Sequence, residues 1–98
     1  MAQFCVYRLP AGPLVVDLQS DLIETGTRVV APLIPLSDGP RPFTRLEPVF
    51  DLLGQPHVLH TAELAAVPQH LIQDPPVADM SERDYEIRGA LDMVFSGF

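Results

Sequence analysis

The sequence predicts a mainly β fold of α+β type: an antiparallel barrel or sheet followed by one C-terminal helix. Three observations point there. Short runs rich in β-branched and aromatic residues alternate with turn chemistry over most of the chain. Eleven prolines are spread along 98 residues, which suits short strands and irregular turns and argues against a long helical bundle. Near residue 80 the apolar residues change from a strand-like period to a helical one.

Residues 2–9 read as a first strand, and Pro10-Ala11-Gly12-Pro13 is turn chemistry. Leu14 to Gln19 is a second strand with Leu14, Val16 and Leu18 on one face and Val15, Asp17 and Gln19 on the other. So short a turn predicts an antiparallel hairpin. Residues 20–26 read as a loop around Leu22-Ile23. Arg28 to Ile34 is a third strand, and Pro32 inside it predicts an edge position or a bulge. Three prolines and a glycine make 35–42 an exposed connection. Strands are expected at 45–53 and 56–60 about a turn at Gly54-Gln55, then a helical turn in 61–67, a last strand at 69–73, and a break at Gln73 to Pro76.

In the tail, Ile87, Leu91, Val94, Phe95 and Phe98 form one apolar stripe at helical spacing. Ser81 is placed as N-cap, with Asp84 completing a capping box and Met80 and Tyr85 a hydrophobic staple. Asp84 and Arg88 form an i, i+4 pair, and Gly97 stands where the helix should stop.

The length bounds the chain to one domain, 1–98, with one core. So short a domain buries a modest share of its surface, so pairing of two copies would help it. With 47% hydrophobic and 19% charged residues the composition is globular. No apolar run approaches the roughly 20 residues of a membrane span. The first ten residues lack the charged-then-apolar pattern of a signal peptide. The expectation is a cytoplasmic protein with no membrane partner. Net charge is −7, with six arginines and no lysine. Such a surface repels phosphate backbones and suits a basic partner, so direct nucleic-acid binding is not expected.

Candidate chemistry is sparse. The lone Cys5 sits among Phe4, Val6 and Tyr7 and reads as a core residue, not a nucleophile. His57 and His60 fall on opposite faces of a strand, which disfavours a shared metal, and His70 reads as a surface residue. Asp17 reads either as a general base or as an acceptor for turn amides. Glu82, Asp84 and Glu86 fit dipole compensation at a helix start. Neither a cofactor motif nor a metal-ligand spacing stands out, so no catalytic, cofactor or metal residues are assigned.

Gln3 to Tyr7, Val16 to Ile23, Arg28 to Leu33, Ala66-Val67-Pro68, Val77 to Arg83 and Ala90 to Phe95 are stretches that together resemble the CcdB family of toxin–antitoxin toxins. The resemblance covers nearly the whole chain, and the V-D-x-Q-S-D motif together with the tail makes it specific. It implies an SH3-like barrel with a C-terminal helix, assembled as a homodimer. It also implies a toxin without catalysis, one that enters the dimerisation domain of DNA gyrase A and traps the cleavage complex. A CcdA-like cognate antitoxin would release it.

The family's target-facing positions fall here on Leu22, Ile23, Asp92, Phe95, Ser96, Gly97 and Phe98. Asp92 stands where some members have Asn, and Ser96 where the best-known members have Trp. That Trp stacks on target arginines, an interaction worth about 0.5–2 kcal/mol that serine cannot supply. Phe95 continues the apolar stripe, so packing on the sheet is an equal alternative for it. Two other functions stay in view. One is a MazF-like endoribonuclease on the same barrel, against which the acidic charge argues. The other is a non-poisoning homologue that binds antitoxin only or has another target, motivated by Ser96.

Overall fold

A computed structural model describes residues 2–10 and 12–98; Ala11, in the expected first turn, lies outside the described residues. Among the described residues, seven strands form one sheet: β1 (Cys5–Arg8), β2 (Leu14–Asp17), β3 (Thr27–Pro35), β4 (Val49–Leu52), β5 (Gln55–Leu59), β6 (Ala65–Pro68) and β7 (Ala78–Asp79). The spatial order is β4-β5-β3-β2-β1-β7, with β6 also paired to β3. All pairs are antiparallel, and the sheet curls into a nearly closed barrel. One helix, α1 (Asp84–Ser96), follows it.

Period-two alternation builds the core. Leu14, Val16 and Leu18 enter the main cluster with Phe4, Leu33 and Leu59, as their shared face predicts. Val15 joins Cys5, Tyr7, Val30 and Ile72 in a second cluster, so both faces of the sheet are apolar here. Ile87 and the partly buried Leu91 bring the helix onto the main cluster.

The position of Pro32 differs from expectation. β3 is the longest strand and lies inside the sheet, not at an edge. Pro32 is tolerated because the ladder on one side changes partner there: β6 pairs Thr27 to Val30 and β5 pairs Leu33 to Pro35. The Pro32 carbonyl meets the His60 N–H at 2.9 Å in the gap. Since N–H and C=O of one strand residue point the same way, the missing donor falls where no strand waits for it.

The later strands also shift. The hairpin turn is Leu53-Gly54, both with positive φ (52° and 81°), and Leu52 pairs with Gln55. The helical turn is confined to Thr61–Glu63 and is followed by β6. Residues 69–71 form a 3₁₀ turn in place of the expected strand, because the Gln69 N–H goes to the Gly26 carbonyl and Ile72 N–H turns back to Gln69.

The helix entry departs as well. A 3₁₀ turn, Ser81–Arg83, precedes α1, and Asp79, not Ser81, supplies the side-chain acceptor, taking the Ser81 N–H at 2.8 Å. Met80 is buried while Tyr85 stands in solvent, so the staple does not close. The Asp84–Arg88 pair forms at 3.5 Å. Gly97 ends the helix as predicted, at φ 80° with its N–H on the Met93 carbonyl. Among the described residues no helix is long and apolar enough to cross a membrane.

Candidate functional site

The Val16 to Ile23 motif makes a strand end and a loop that is fastened from beneath. Asp17 closes β2 and pairs with Val30 of β3. Arg28, two residues along β3, therefore shares the Asp17 face. The two side chains are buried to 0% and 2% exposure. The Arg28 Nε donates to both Asp17 oxygens, at 3.2 and 3.0 Å, and Nη2 lies 2.8 Å from Oδ2. Burial pushes the Asp17 carboxyl above its ordinary pKa, while Arg28 and the Gln19 N–H pull it back.

The same Nη2 donates to the Gln19 carbonyl at 3.0 Å and to Asp21 Oδ1 at 3.1 Å. Gln19 spans the gap to β3 with Oε1 on the Val29 N–H and Nε2 on the Ile23 carbonyl, 2.8 Å. Ser20 takes the Leu22 N–H with its hydroxyl and the Ile23 N–H with its carbonyl. Above these ties Leu22 is 90% exposed and Ile23 50%.

The second region is the outer side of α1. Ile87 and Ala90 are buried against the sheet, which turns Tyr85, Asp92 and Ser96 outward. Phe95 and Phe98 are 72% and 77% exposed, so the apolar stripe leaves the core before the helix ends. Packing on the sheet, the alternative for Phe95, is thus not what the fold does with it. Arg88 lies over the Phe4 ring at 5.1 Å, and Arg83 over Phe50 at 4.8 Å. An open groove of about 590 Å³ runs between Thr44 to Pro48 and the helix residues Tyr85, Arg88, Gly89 and Asp92.

Gln3 and Phe4 connect the two regions. The Gln3 N–H donates to Asp21 Oδ1 at 3.0 Å and its side-chain amide to the Leu18 carbonyl. The next residue, Phe4, packs in the main cluster with Ile87 and under Arg88. Of the seven expected target-facing residues, Leu22 and Ile23 lie in the fastened loop; Asp92, Phe95, Ser96, Gly97 and Phe98 lie along the helix end, all exposed. Sequence reasoning missed Gln19 and Arg28 as supports and Tyr85 as an exposed aromatic. The signal that could have found the supports was an arginine opening an apolar strand, with an aspartate closing the one before.

Other candidates are built for structure. Asp17 accepts the Gln19 N–H at 3.1 Å and is committed to Arg28, as a buried turn acceptor and not an accessible base. Cys5 is buried, and burial raises its thiol pKa, which opposes nucleophilicity. His57 is buried with Nδ1 on the Gln55 carbonyl, while His60 faces Glu63 at 2.9 Å and Glu47 at 3.5 Å. Among the described residues, no group of three or more His, Cys, Asp or Glu side chains could hold a metal ion.

The family model described as CcdB protein matches residues 3–97. An endoribonuclease from Mycobacterial species, solved in complex with its cognate antitoxin, is similar at TM-score 0.77 and 12% identity, over 97% of this chain and 94% of that one. A second structure, an endoribonuclease from Mycobacterial species, matches at TM-score 0.77 and 11% identity, over 97% and 90%. At such identity the likeness is one of fold.

Proposed function

The chain belongs to the CcdB family, and from that premise we propose that it is the toxin of a toxin–antitoxin pair that binds the gyrase A dimerisation domain and traps cleaved DNA. The observation that carries this reading is the pair of exposed apolar patches, Leu22-Ile23 and Phe95-Phe98. Large apolar side chains held in solvent on a small protein are a contact surface for another protein. The net charge of −7 favours a basic partner and opposes direct nucleic-acid binding.

On this reading the toxin performs no chemistry and uses no cofactor. Leu22 and Ile23 supply rigid apolar contacts. Phe95 and Phe98 supply the bulk that Ser96 does not, and Asp92 offers a carboxylate to a target arginine. Gly97 sets the direction of the last residue through its left-handed turn. Two copies would present two such surfaces to a twofold target, which motivates a homodimer. The family, and the cognate antitoxin bound to a protein of the same fold, support a CcdA-like antitoxin as the second partner.

The test is a gyrase cleavage assay with purified protein and ATP, beside a variant lacking Phe98. Linear DNA that accumulates with the wild type and is lost with the variant is expected. Absence of linear DNA from intact dimers would contradict poisoning and favour a homologue that binds antitoxin only or has another target. A second reading is endoribonuclease activity, since two endoribonucleases share this fold. Cleavage of a long RNA by the pure protein without gyrase would establish it.

A further inference from the structure

The polar cluster beneath the Leu22-Ile23 loop is costlier than a core requires. A buried arginine–carboxylate pair loses hydration that its attraction barely returns, and apolar residues of the same volume commonly serve a core as well or better. What apolar residues could not do is reach outward. One edge of Arg28 is spent on Asp17; Nη2 continues to the Gln19 carbonyl and to Asp21, which also holds the Gln3 N–H. Gln19 completes the arrangement by tying the Ile23 carbonyl to β3. The residues on both sides of Leu22 are thereby fixed to one strand, while Leu22 itself projects into solvent.

We propose that Arg28 and Gln19 are positioning residues for target recognition: they hold the Leu22-Ile23 loop in its binding shape before the target arrives. This rests on the gyrase reading above. Arg28 is too deeply buried to touch a target itself, so its effect passes through the loop. Loop order is otherwise imposed during association, at a cost that weakens binding. Asp21 is the convenient point of attack, because its side chain is half exposed and the buried Asp17–Arg28 pair survives its removal.

The experiment uses the full chain and the isolated gyrase A dimerisation domain, with Asp21→Ala, Asp21→Asn, Arg28→Lys and the Leu22→Ala/Ile23→Ala pair. It reads affinity, thermal midpoint and amide exchange along the chain. Asp21→Ala removes the acceptor of both Arg28 Nη2 and the Gln3 N–H and is expected to bind about tenfold more weakly, the order of a hydrogen bond to a charged group, with faster exchange confined to Gln3 and residues 19–24 and an unfolding midpoint close to wild type. Asp21→Asn keeps the acceptor oxygen and is expected to restore affinity to within about threefold. Arg28→Lys keeps a cation beside Asp17 but loses the planar fork, so its affinity and exchange should follow Asp21→Ala while its unfolding midpoint falls. Wild-type binding that is weakened by the Leu22/Ile23 pair but unchanged, in affinity and exchange, by Asp21→Ala would overturn the positioning role alone. A wild type that does not bind would overturn the gyrase reading and the positioning role with it.

Discussion

The loop at 19–23 and the end of α1 both offer apolar side chains to solvent, but they are held in opposite ways. The loop is short: Gln19 and Asp21 bond to β3, Asp21 also to Gln3, and Gln19 and Ser20 hold Leu22 and Ile23 from within the loop. At the helix end the Gly97 N–H bonds the Met93 carbonyl, and Phe95 and Phe98 extend from the last turn of α1. One region is fastened to a strand by side chains, and the other rests on the backbone of its own helix. The Val16 to Ile23 motif lies in the fastened loop, and Ser96 lies at the helix end.

The largest expected effect breaks the fastened side. Arg28→Met leaves the Asp17 carboxylate buried without its cation and should cost about 3–5 kcal/mol of folding stability, read by urea denaturation; Asp17→Asn combined with Arg28→Gln should recover much of it. Next, Leu22→Ala with Ile23→Ala should weaken gyrase A binding by about 30-fold, the scale of a hot spot of 2 kcal/mol. Its unfolding midpoint should stay near wild type, because neither side chain belongs to the core. Ser96→Trp sharpens the comparison from the other side. An indole over a target guanidinium should tighten binding by about 2- to 30-fold, following 0.5–2 kcal/mol, measured by calorimetry. The smallest effect is at Gly97, where a Cβ meets nothing within 4 Å but φ is +80°. Gly97→Ala should therefore cost about 1 kcal/mol through backbone strain alone, seen as fraying of the last helical turn in amide exchange.

How far these two regions were legible in the sequence follows the same division. The β1–β2 hairpin, the alternation of Leu14 to Leu18 and the stop at Gly97 each rest on a local pattern; the last two formed as read, and the hairpin formed with strands shorter than the 2–9 and 14–19 expected. The family motif marked Leu22 and Ile23. The support beneath them was hidden because Asp17 and Arg28 are 11 positions apart, and only the pairing of Asp17 with Val30 puts them on one face. β6 and β7 escaped for another reason. Ala-Ala-Val-Pro is mostly exposed and β7 has two residues, so neither carries a periodic signal. Pro32 misled because proline in a strand implies an edge or a bulge, whereas here the register with β2 is unbroken and a change of partner on the other side supplies the equivalent of an edge. Ser81 misled because Asp79, two residues earlier, was equally suited to take its N–H.

The most direct test of the central claim is calorimetric titration of the wild-type protein into the isolated gyrase A dimerisation domain, repeated with the Leu22→Ala/Ile23→Ala variant and with Phe98 removed. Saturable binding that both changes weaken, the loop change more than the tail change, is the predicted result. No binding at high micromolar concentration, or binding that neither change alters, would contradict it.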